Sequence, residues 1–353
     1  MHPHLKEAFD RYLPLVEEEL KKVLFCPKAG LAPFYNMMGY HLGWLDESFV
    51  PASSDTGKRL RPVLCLLSCQ APGGDPFQAL PAAAAVEILH NFSLVHDDIE
   101  DNSSFRRHRP TVWKVWGIPH ATNVGDGLFA LAYLSLYRLA EKDIPAERLL
   151  AASRTFGETC LALCEGQFLD ISFEERLDIG LDEYLRMIYN KTAALIACSV
   201  QLGAMLATED EKLIASYRRF GENLGLAFQI QDDILGIWGR PEVTGKPAAS
   251  DILQRKKTLP IVYAMIQERQ EGVAWGLSPR KTLRELYSQE KIGEEDIPRI
   301  LEILDGAKAL DYTRRMAEKY HRLALEALES TGVESEGQAT LRKLTDFLIE
   351  RTY

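Results

Sequence analysis

The chain has 353 residues, 46% of them hydrophobic, and a formal net charge of −10. So acidic a chain is a poor match for nucleic acid or an anionic membrane surface, and we expect neither as its main partner. No run approaches the ~18–20 apolar residues of a membrane span, and the N-terminus lacks a basic-then-apolar leader. We therefore expect a cytoplasmic protein without a membrane span.

The six cysteines predict reduced thiols and no metal centre. They contain no CxxC pair, and two pairs, Cys65/Cys69 and Cys160/Cys164, are spaced by four residues within apolar helical segments. A zinc site would need His at helical spacing, which neither pair has. We expect buried, reduced cysteines.

Helical periodicity dominates the chain. Apolar residues recur every three or four positions from Leu5 to Leu24, which predicts an amphipathic helix with a kink at Pro14. The stretch Cys26–Thr56 is rich in Pro, Gly and aromatic residues and predicts an ordered connection with short helices. Three or four helices are expected between Arg280 and Arg351. The helices predicted between these regions are Arg61–Cys69, Pro81–Asp101, Gly125–Glu141, Ala146–Phe173, Leu181–Ala207, Glu211–Ile237 and Leu259–Gln267.

Signals for β-strands are nearly absent. Apolar and polar residues do not alternate with a period of two over any sustained stretch, and the sequence has no Asn-Gly hairpin turn. The predicted fold class is therefore all-α. The candidate site residues run from Lys58 to Lys257 without a low-complexity linker. This favours one large helical domain over residues 1–353, not two domains.

The predicted helix Pro81–Asp101 ends in the acidic cluster Asp97-Asp98-Ile99-Glu100-Asp101. Asp97 and Asp101, four residues apart, share a face, and Asp98 points elsewhere. The helix dipole opposes each carboxylate there by roughly 0.3–1 kcal/mol unless a cation is bound. Mg²⁺ prefers such oxygen ligands, completed by water and phosphate.

A second apolar helix leads into Asp232-Asp233, and Gly239 with Pro241 stops it soon after. One such cluster is as readily a solvated helix end as a metal site. Two clusters embedded in apolar sequence weaken that alternative. Facing each other, they would hold a diphosphate through divalent ions.

Basic residues accompany the acidic clusters. Lys58 and Arg61 stand at the opening of a helix, which suits an anion, although such pairs are often only solvated. Arg106 and Arg107 follow the first cluster and either bind phosphate or neutralise the neighbouring Asp residues.

Lys191 lies beside Thr192, at the edge of an uncharged apolar segment, and needs an anion unless it reaches solvent. Thr244-Gly245-Lys246 and Arg255-Lys256-Lys257 follow the second cluster. They either fold back over the same site or form an ordinary charged loop.

Together these motifs resemble the trans-isoprenyl diphosphate synthases, also called polyprenyl synthetases. The resemblance covers roughly Gly57 to Pro260 and is specific in residue type and order. The matching positions are Gly57-Lys58-x-x-Arg61-Pro62, His90, Asp97–Asp101, Arg106-Arg107 with Pro110-Thr111, Gly166–Asp170, Lys191-Thr192, Phe228–Asp233 and Gly245-Lys246.

The resemblance implies a helical bundle around a central active-site cavity, the isoprenoid synthase fold, and a homodimer. It implies an enzyme that condenses isopentenyl diphosphate with an allylic diphosphate to give an all-trans prenyl diphosphate. It also implies three Mg²⁺ ions, or Mn²⁺ in their place, held by Asp97, Asp101 and Asp232.

The remaining roles also follow from the resemblance. Asp98, Asp170 and Asp233 would support the metal ligands, and Asp98 and Lys191 would join Asp97, Asp101 and Asp232 in catalysis. The allylic diphosphate would be held by Arg106, Lys191, Thr192, Gln229, Lys246 and Lys256. Isopentenyl diphosphate would be held by Lys58, Arg61, His90 and Arg107.

Two positions depart from the family pattern. Gly236 stands where the second motif usually has its last aspartate, so weaker Mg²⁺ binding is expected. His108 stands where many relatives have Gly after the arginine pair. Two rival interpretations stay open: a class I terpene cyclase, which needs only one diphosphate site, and a catalytically silent subunit of a prenyl diphosphate synthase.

Product length is predicted from the first acidic helix. Phe92, five residues before Asp97, is roughly 7 Å deeper at ~1.5 Å per residue. In the family, an aromatic residue here followed by a small one, Ser93, resembles the short-chain geranylgeranyl type. The alternative is that Phe92 is an ordinary core residue.

Overall fold

The computed structural model describes residues 3–25, 28–52, 54–240, 249–271 and 281–349. Within these ranges the fold is helical, which confirms the predicted all-α class. A π-helical stretch, Tyr189–Ala193, lies between two of the helices. The α-helices are α1 (Pro3–Val23), α2 (Ala32–His41), α3 (Leu60–Gln70), α4 (Pro76–Glu100), α5 (Val112–Trp116), α6 (Ile118–Tyr137), α7 (Ala146–Phe173), α8 (Leu181–Ile188), α9 (Ala194–Ala207), α10 (Glu211–Trp238), α11 (Ser250–Leu253), α12 (Leu259–Glu271), α13 (Leu283–Tyr287), α14 (Ile297–Gly306), α15 (Ala309–Glu329) and α16 (Glu336–Ile349).

Several helix boundaries differ from the predicted ones. Helix α1 runs through Pro14 without interruption. Helix α4 begins five residues early, because Asp75 caps it by accepting a hydrogen bond from the Phe77 backbone N at 3.0 Å. Helix α10 ends at Trp238, one residue beyond the predicted Ile237, so Asp232-Asp233 lie just before its last turn.

A short two-stranded ribbon follows α4. Strand β1 (Phe105–Arg106) pairs antiparallel with β2 (Arg109–Pro110). The two residues between them, Arg107 and His108, have φ of 50° and 61°. Two-residue hairpins of this type need positive φ at both turn positions and usually use Gly or Asn. The ribbon is not predicted from the sequence, because neither Gly nor Asn stands at these two positions.

The described residues form two compact units, each assembled from three stretches of sequence. The first comprises 1–161, 195–218 and 328–343, and the second comprises 162–194, 219–327 and 344–353. The single-domain assignment over 1–353 stays a prediction.

The core of the first unit is built around α4. This helix packs against α3 and α6, and its small residues Ala82–Ala85 are fully buried. Gly125 of α6 leaves room for the His96 ring of α4, which a Cβ there would overlap. The side chains of α4 thus pack closely against α6.

The second unit has two apolar clusters. One surrounds Ile237 of α10 and Ile252 of α11, together with residues of α12, α13 and α14. The other surrounds Tyr184 of α8 and Ile230 of α10. These clusters fix the faces of α10 on either side of Asp232-Asp233.

The cysteine and membrane expectations are largely met. Cys65, Cys69, Cys160 and Cys198 are buried, reduced cysteines, but Cys164 is exposed, so its predicted burial was wrong. Cys26 lies outside the described residues. Over the part of the chain that the structure describes, none of the helices has the length and apolarity to cross a membrane.

Candidate functional site

A sharp turn before α3 directs the side chains of Lys58, Arg59 and Arg61 into different surroundings. Gly57 and Arg59 have φ of 75° and 48°. Arg59 turns inward, where it donates to Glu87 at 2.8 Å and Glu17 at 2.9 Å. Lys58 stays exposed. The turn thus separates a structural arginine from the predicted anion-binding pair, Lys58 and Arg61.

Arg61 lies beside His90. Both residues are predicted to bind isopentenyl diphosphate, and such a role needs them close together. Its Nη1 is 3.3 Å from His90 Nε2, and its buried Nε has no hydrogen-bond partner among the described residues. Burial, followed by the charge of Arg61, lowers the pKa of His90 well below its ordinary value. His90 is therefore neutral at pH 7 and can donate one ring N–H to an anion.

Arg107 and His41 add two further buried polar groups. Arg107 Nη1 and His41 Nε2 are buried without a hydrogen-bond partner in the described chain. Both residues line a cleft that also includes Arg106 and Arg109, together with Asp55 and Asp98. His41 was missed by the sequence analysis, because it lies in the aromatic-rich connection and belongs to no motif. Buried donors of this kind are stabilised by an anion that accepts from them.

The first acidic cluster is partly neutralised by Arg106. Its Nε donates to Asp98 Oδ1 at 2.7 Å and its Nη2 to Asp97 Oδ2 at 3.4 Å. Asp98 is buried, Asp97 is half-buried and Asp101 is exposed. Burial raises the pKa of Asp98 to about 6, and its Oδ2 has no hydrogen-bond partner among the described residues. The neutralisation that the sequence left open as an alternative is thus present.

Phe92 begins a row of aromatic rings. Its ring centroid lies 5.1 Å from that of Phe129, and Phe129 is followed by Tyr133 at 5.5 Å. Phe156 of α7 continues the row, 5.1 Å from Tyr133. Ser93 donates back to the His90 carbonyl at 2.8 Å and adds little bulk. Phe92 is only half-buried, unlike an ordinary core residue.

Lys191 lies in the π-helical stretch, which interrupts the single helix predicted over Leu181–Ala207. Two glycines allow neighbouring helices to approach this stretch. A Cβ on Gly166 would overlap the backbone of Lys191, and a Cβ on Gly225 would overlap Ala193. Isolated π-helical turns often mark functional sites, because they redirect side chains within a helix.

The side chains of this stretch reach polar partners on neighbouring helices. Lys191 Nζ lies 2.5 Å from Asp170 Oδ2, which supplies the anion that the sequence analysis required. Thr192 donates to Gln229 Oε1 at 2.8 Å, and Gln229 Nε2 donates to Asp233 Oδ1 at 3.1 Å. The structure therefore links Thr192, Gln229 and Asp233 in one chain of hydrogen bonds, next to the pair formed by Lys191 and Asp170.

Asp233 and Asp232 have different surroundings. Asp233 is buried and accepts hydrogen bonds from the Tyr184 hydroxyl and, at 2.8 Å, from the Leu259 backbone N. Burial raises its pKa to about 7. Asp232 is exposed. Asp233 thus ties α10 to α8 and α12, and Asp232 is the carboxylate accessible to a ligand.

Two lysines that follow α11, Lys256 and Lys257, have different surroundings. Lys256 is exposed, whereas Lys257 is buried and donates to the Glu174 carbonyl at 3.1 Å. Burial lowers the pKa of Lys257 to about 8. Lys246 lies outside the described residues.

Comparison with known proteins identifies the family. The chain matches the family model described as polyprenyl synthetase over residues 43–304. It is 36% identical to a (2E,6E)-farnesyl diphosphate synthase of Mycobacterium bovis, over 89% of this chain and 85% of that protein. The chain belongs to the polyprenyl synthetase family.

Two further relatives of the family bear on fold and product. A geranylgeranyl diphosphate synthase of Mycobacterium tuberculosis is 46% identical over 66% of this chain and 65% of that protein. A crystal structure of a polyprenyl synthetase from Streptomyces coelicolor A3(2) matches with a TM-score of 0.87 and 36% identity, covering 98% of this chain and 99% of that one. This polyprenyl synthetase is therefore an enzyme, a prenyltransferase of isoprenoid biosynthesis. Farnesyl and geranylgeranyl synthases both occur among its relatives.

Members of the polyprenyl synthetase family use a divalent metal with the diphosphate substrate. Nowhere in the described ranges do three or more His, Cys, Asp or Glu side chains already form a metal-binding group. The acidic residues nevertheless fit Mg²⁺, which commonly takes one or two carboxylates and completes its shell with water and phosphate. The buried, partnerless Oδ2 of Asp98 also marks a place where a cation or its water would be stabilised.

Proposed function

We propose that this prenyltransferase condenses isopentenyl diphosphate with an allylic diphosphate and forms a short-chain all-trans product of the geranylgeranyl type. The observation that carries the proposal is the buried basic cleft of the first unit. Arg107 and His41 each place a buried polar nitrogen in this cleft, and Arg61 adds another beside His90; none of the three has a hydrogen-bond partner among the described residues. A diphosphate accepts from several such donors at once.

Isopentenyl diphosphate binds this cleft in the proposal. Lys58 contributes an exposed ammonium, and Arg61 and Arg107 contribute planar donors. Neutral His90 donates one hydrogen bond without adding charge. A terpene cyclase has no use for a second diphosphate site, so this basic group favours condensation.

The allylic diphosphate is bound in the proposal by the second set of predicted residues. Lys191, Thr192, Gln229 and Lys256 would supply ammonium, hydroxyl and amide donors. Arg106, which donates to Asp97 and Asp98 in this structure, would supply a guanidinium. Lys246 belongs to the same predicted set.

Asp97, Asp101 and Asp232 would hold the divalent metal, and Asp98, Asp170 and Asp233 would support them. When bound, the metal would stabilise the negative charge that develops on the departing diphosphate. The protein's own cations share that task, and the apolar walls exclude water from the allylic cation. The departing diphosphate accepts the proton, so no strong protein base is needed.

We also propose that the enzyme is a homodimer. Helix α6 leaves two large apolar side chains, Leu134 and Tyr137, 57% and 48% exposed. Burial against a second copy would remove this surface from water. Light scattering coupled to size-exclusion chromatography tests the assignment, which fails if the purified chain is a monomer at micromolar concentration.

One assay tests the activity. The purified protein is supplied with Mg²⁺, isopentenyl diphosphate and, in separate reactions, dimethylallyl, geranyl or farnesyl diphosphate, and products are sized by mass spectrometry. Geranylgeranyl diphosphate is expected as the main product. Conversion of an allylic diphosphate to a hydrocarbon without isopentenyl diphosphate would indicate a cyclase, and no turnover with any primer would indicate a silent subunit.

A further inference from the structure

A buried carboxylate lies behind the basic residues of the first unit. Glu87 of α4 is 2% exposed, and its Oε1 accepts hydrogen bonds from Arg59 Nη1 at 2.8 Å and from Asn91 Nδ2 at 2.9 Å. Burial lowers the pKa of Arg61 and of Arg107, and the charge of Glu87 acts in the opposite direction on both. Glu87 is therefore close to three arginines, although it belongs to none of the motifs that predicted the site.

The ion pair between Glu87 and Arg59 holds the turn before α3. Arg59 has a φ of 48°, a value that residues other than glycine rarely adopt. Its guanidinium is only 1% exposed and is bound on three sides, by Glu87, by Glu17 at 2.9 Å and by a backbone carbonyl at 3.3 Å. Since Lys58 directly precedes Arg59, and Arg61 is two residues beyond it, these bonds fix the positions from which both predicted anion-binding side chains leave the backbone.

A second contact of Glu87 leads towards His41. Asn91 is fully buried, and its Nδ2 donates both to the Glu87 carbonyl, at 2.8 Å, and to Oε1. Both amide hydrogens are thereby used, so Oδ1, which has no hydrogen-bond partner among the described residues, is the Asn91 atom left to accept from an imidazole. Burial and the neighbouring arginines lower the pKa of His41, and the Asn91 side chain acts in the opposite direction. The amide of Asn91 is thus fixed by Glu87 and is next to the His41 ring.

The charges of this group leave an excess that suits an anion. Arg59 is neutralised by Glu87 and Glu17, whereas Arg61 and Arg107 each keep a buried nitrogen without a hydrogen-bond partner among the described residues. An uncompensated buried charge is strongly destabilising. Glu87 therefore makes it possible to bury three guanidinium groups near one another while two of them remain available to a diphosphate.

We propose that Glu87 is a positioning residue for isopentenyl diphosphate, which it does not touch. Through Arg59 it fixes the turn before α3, and through Asn91 it orients His41. The inference rests on the proposed function, because it takes the basic cleft as the isopentenyl diphosphate site. It assigns the geometry of that site to a carboxylate, a group that would by itself repel the substrate.

Binding of isopentenyl diphosphate to the full chain tests this role without turnover. Isothermal titration calorimetry is run with EDTA, which removes the metal on which the proposed allylic site depends. Glu87→Gln keeps the side-chain size but removes the charge, and it should raise the dissociation constant about tenfold. In assays with Mg²⁺ the KM for isopentenyl diphosphate should rise by a similar factor, while kcat and the KM for the allylic substrate change less than about threefold. Glu141→Gln is the matched control, because Glu141 also pairs with an arginine, Arg138, but is 61% exposed, and this variant should bind as the wild type does.

A neutral replacement of the buried pair separates positioning from folding. Arg59→Met combined with Glu87→Met leaves the net charge unchanged and replaces the ion pair by apolar side chains, so urea unfolding should give a stability close to that of the wild type. Isopentenyl diphosphate should still bind about tenfold more weakly, because neither the turn nor the Asn91 amide is then held. Wild-type binding by a stable double variant would make the pair purely structural and overturn the proposal.

A double-mutant cycle tests the path through Asn91. Asn91→Leu, which is similar in size, should weaken isopentenyl diphosphate binding about threefold and should have no further effect in a His41→Ala background, because the two residues act in series. An equal loss in both backgrounds would overturn this path.

The outcomes also separate the positioning role from the proposed function. If Glu87→Gln binds isopentenyl diphosphate as the wild type does, and the wild type condenses it with an allylic diphosphate, the positioning role is overturned and the proposed function stands. If the wild type binds isopentenyl diphosphate but condenses it with no primer, and Glu87→Gln binds it more weakly, the proposed function is overturned and the positioning role stands.

Discussion

Phe92 of α4 and Phe129 of α6 lie with their ring centroids 5.1 Å apart, one turn of α4 from the acidic cluster that begins at Asp97. Tyr133 and Phe156 continue the row of rings away from Phe92. A growing prenyl chain that enters from the acidic end would meet Phe92 first and the other rings afterwards.

Phe92→Ala is therefore expected to lengthen the main product by at least one isoprene unit. The truncated side chain opens space as far as Phe129, and mass spectrometry of the products measures the change. Phe77→Ala is the matched control, because Phe77 lies on the same helix but is 55% exposed. An unchanged product distribution in Phe92→Ala would make Phe92 a core residue.

Asp97→Ala should lower turnover about 1,000-fold at ordinary Mg²⁺ concentration, the size of effect seen when a main electrostatic stabiliser is lost. Isopentenyl diphosphate binding should be largely retained, because the basic cleft is intact. Steady-state kinetics and equilibrium binding measure the two effects, with Asp10→Ala on the exposed face of α1 as the control. Wild-type turnover would remove Asp97 from the catalytic set.

Arg61→Met should raise the KM for isopentenyl diphosphate at least about tenfold, because a charge-assisted hydrogen bond contributes roughly 1.5–3 kcal/mol. The KM for the allylic substrate should change much less. Arg154→Met, at an arginine whose side chain is 82% exposed, is the control. Equal increases in both KM values would mean that Arg61 acts on the fold as a whole.

The site residues that can be predicted from sequence are those whose pattern lies within one short segment of the chain. The carboxylates of α4 follow from their spacing on one apolar helix, and Lys191 follows from its uncharged neighbours. His41 and Tyr184 carry no such signal, because each gains its role from residues that lie far along the chain. Tyr184, for example, bonds to Asp233, 49 residues later.

The second aspartate-rich motif also has a feature that cannot be predicted from a short segment of sequence. The missing carboxylate at Gly236 is evident from sequence, but its neighbour Asp251 is not, because their contact depends on the packing of Ile237 against Ile252. The hairpin at Arg107 and His108 was missed for a related reason. Its positive φ angles are imposed by the surrounding structure, against the preference of both residues.

His108→Gly should stabilise the protein by about 0.5–1 kcal/mol. Glycine removes the cost of positive φ, about 1–2 kcal/mol, and loses part of that gain to the greater freedom of the unfolded chain. Urea unfolding measures the difference. His108→Ala is the control, because it keeps the Cβ that causes the strain. Equal stabilisation by Ala would show that the imidazole, not the backbone, is responsible.

Lys257 should make stability rise with pH above neutrality. Burial lowers its folded-state pKa to about 8, whereas an unfolded lysine keeps its proton to about 10.4. Between these values the unfolded state binds more protons, so this group's contribution to the free energy of unfolding increases with pH. Below pH 8 the buried ammonium is charged and that contribution is at its lowest.

Lys257→Met removes the titrating group and keeps a long apolar stem over the Tyr287 ring, which lies 5.0 Å from Nζ. The variant should therefore be more stable than the wild type at pH 7, and the difference should shrink as the pH approaches 10. Urea unfolding of both proteins at several pH values gives the difference directly, because tyrosine and other lysine titrations are common to both. A stability difference that does not change between pH 7 and 10 would mean that Lys257 keeps an ordinary pKa, held by its hydrogen bond to the Glu174 carbonyl.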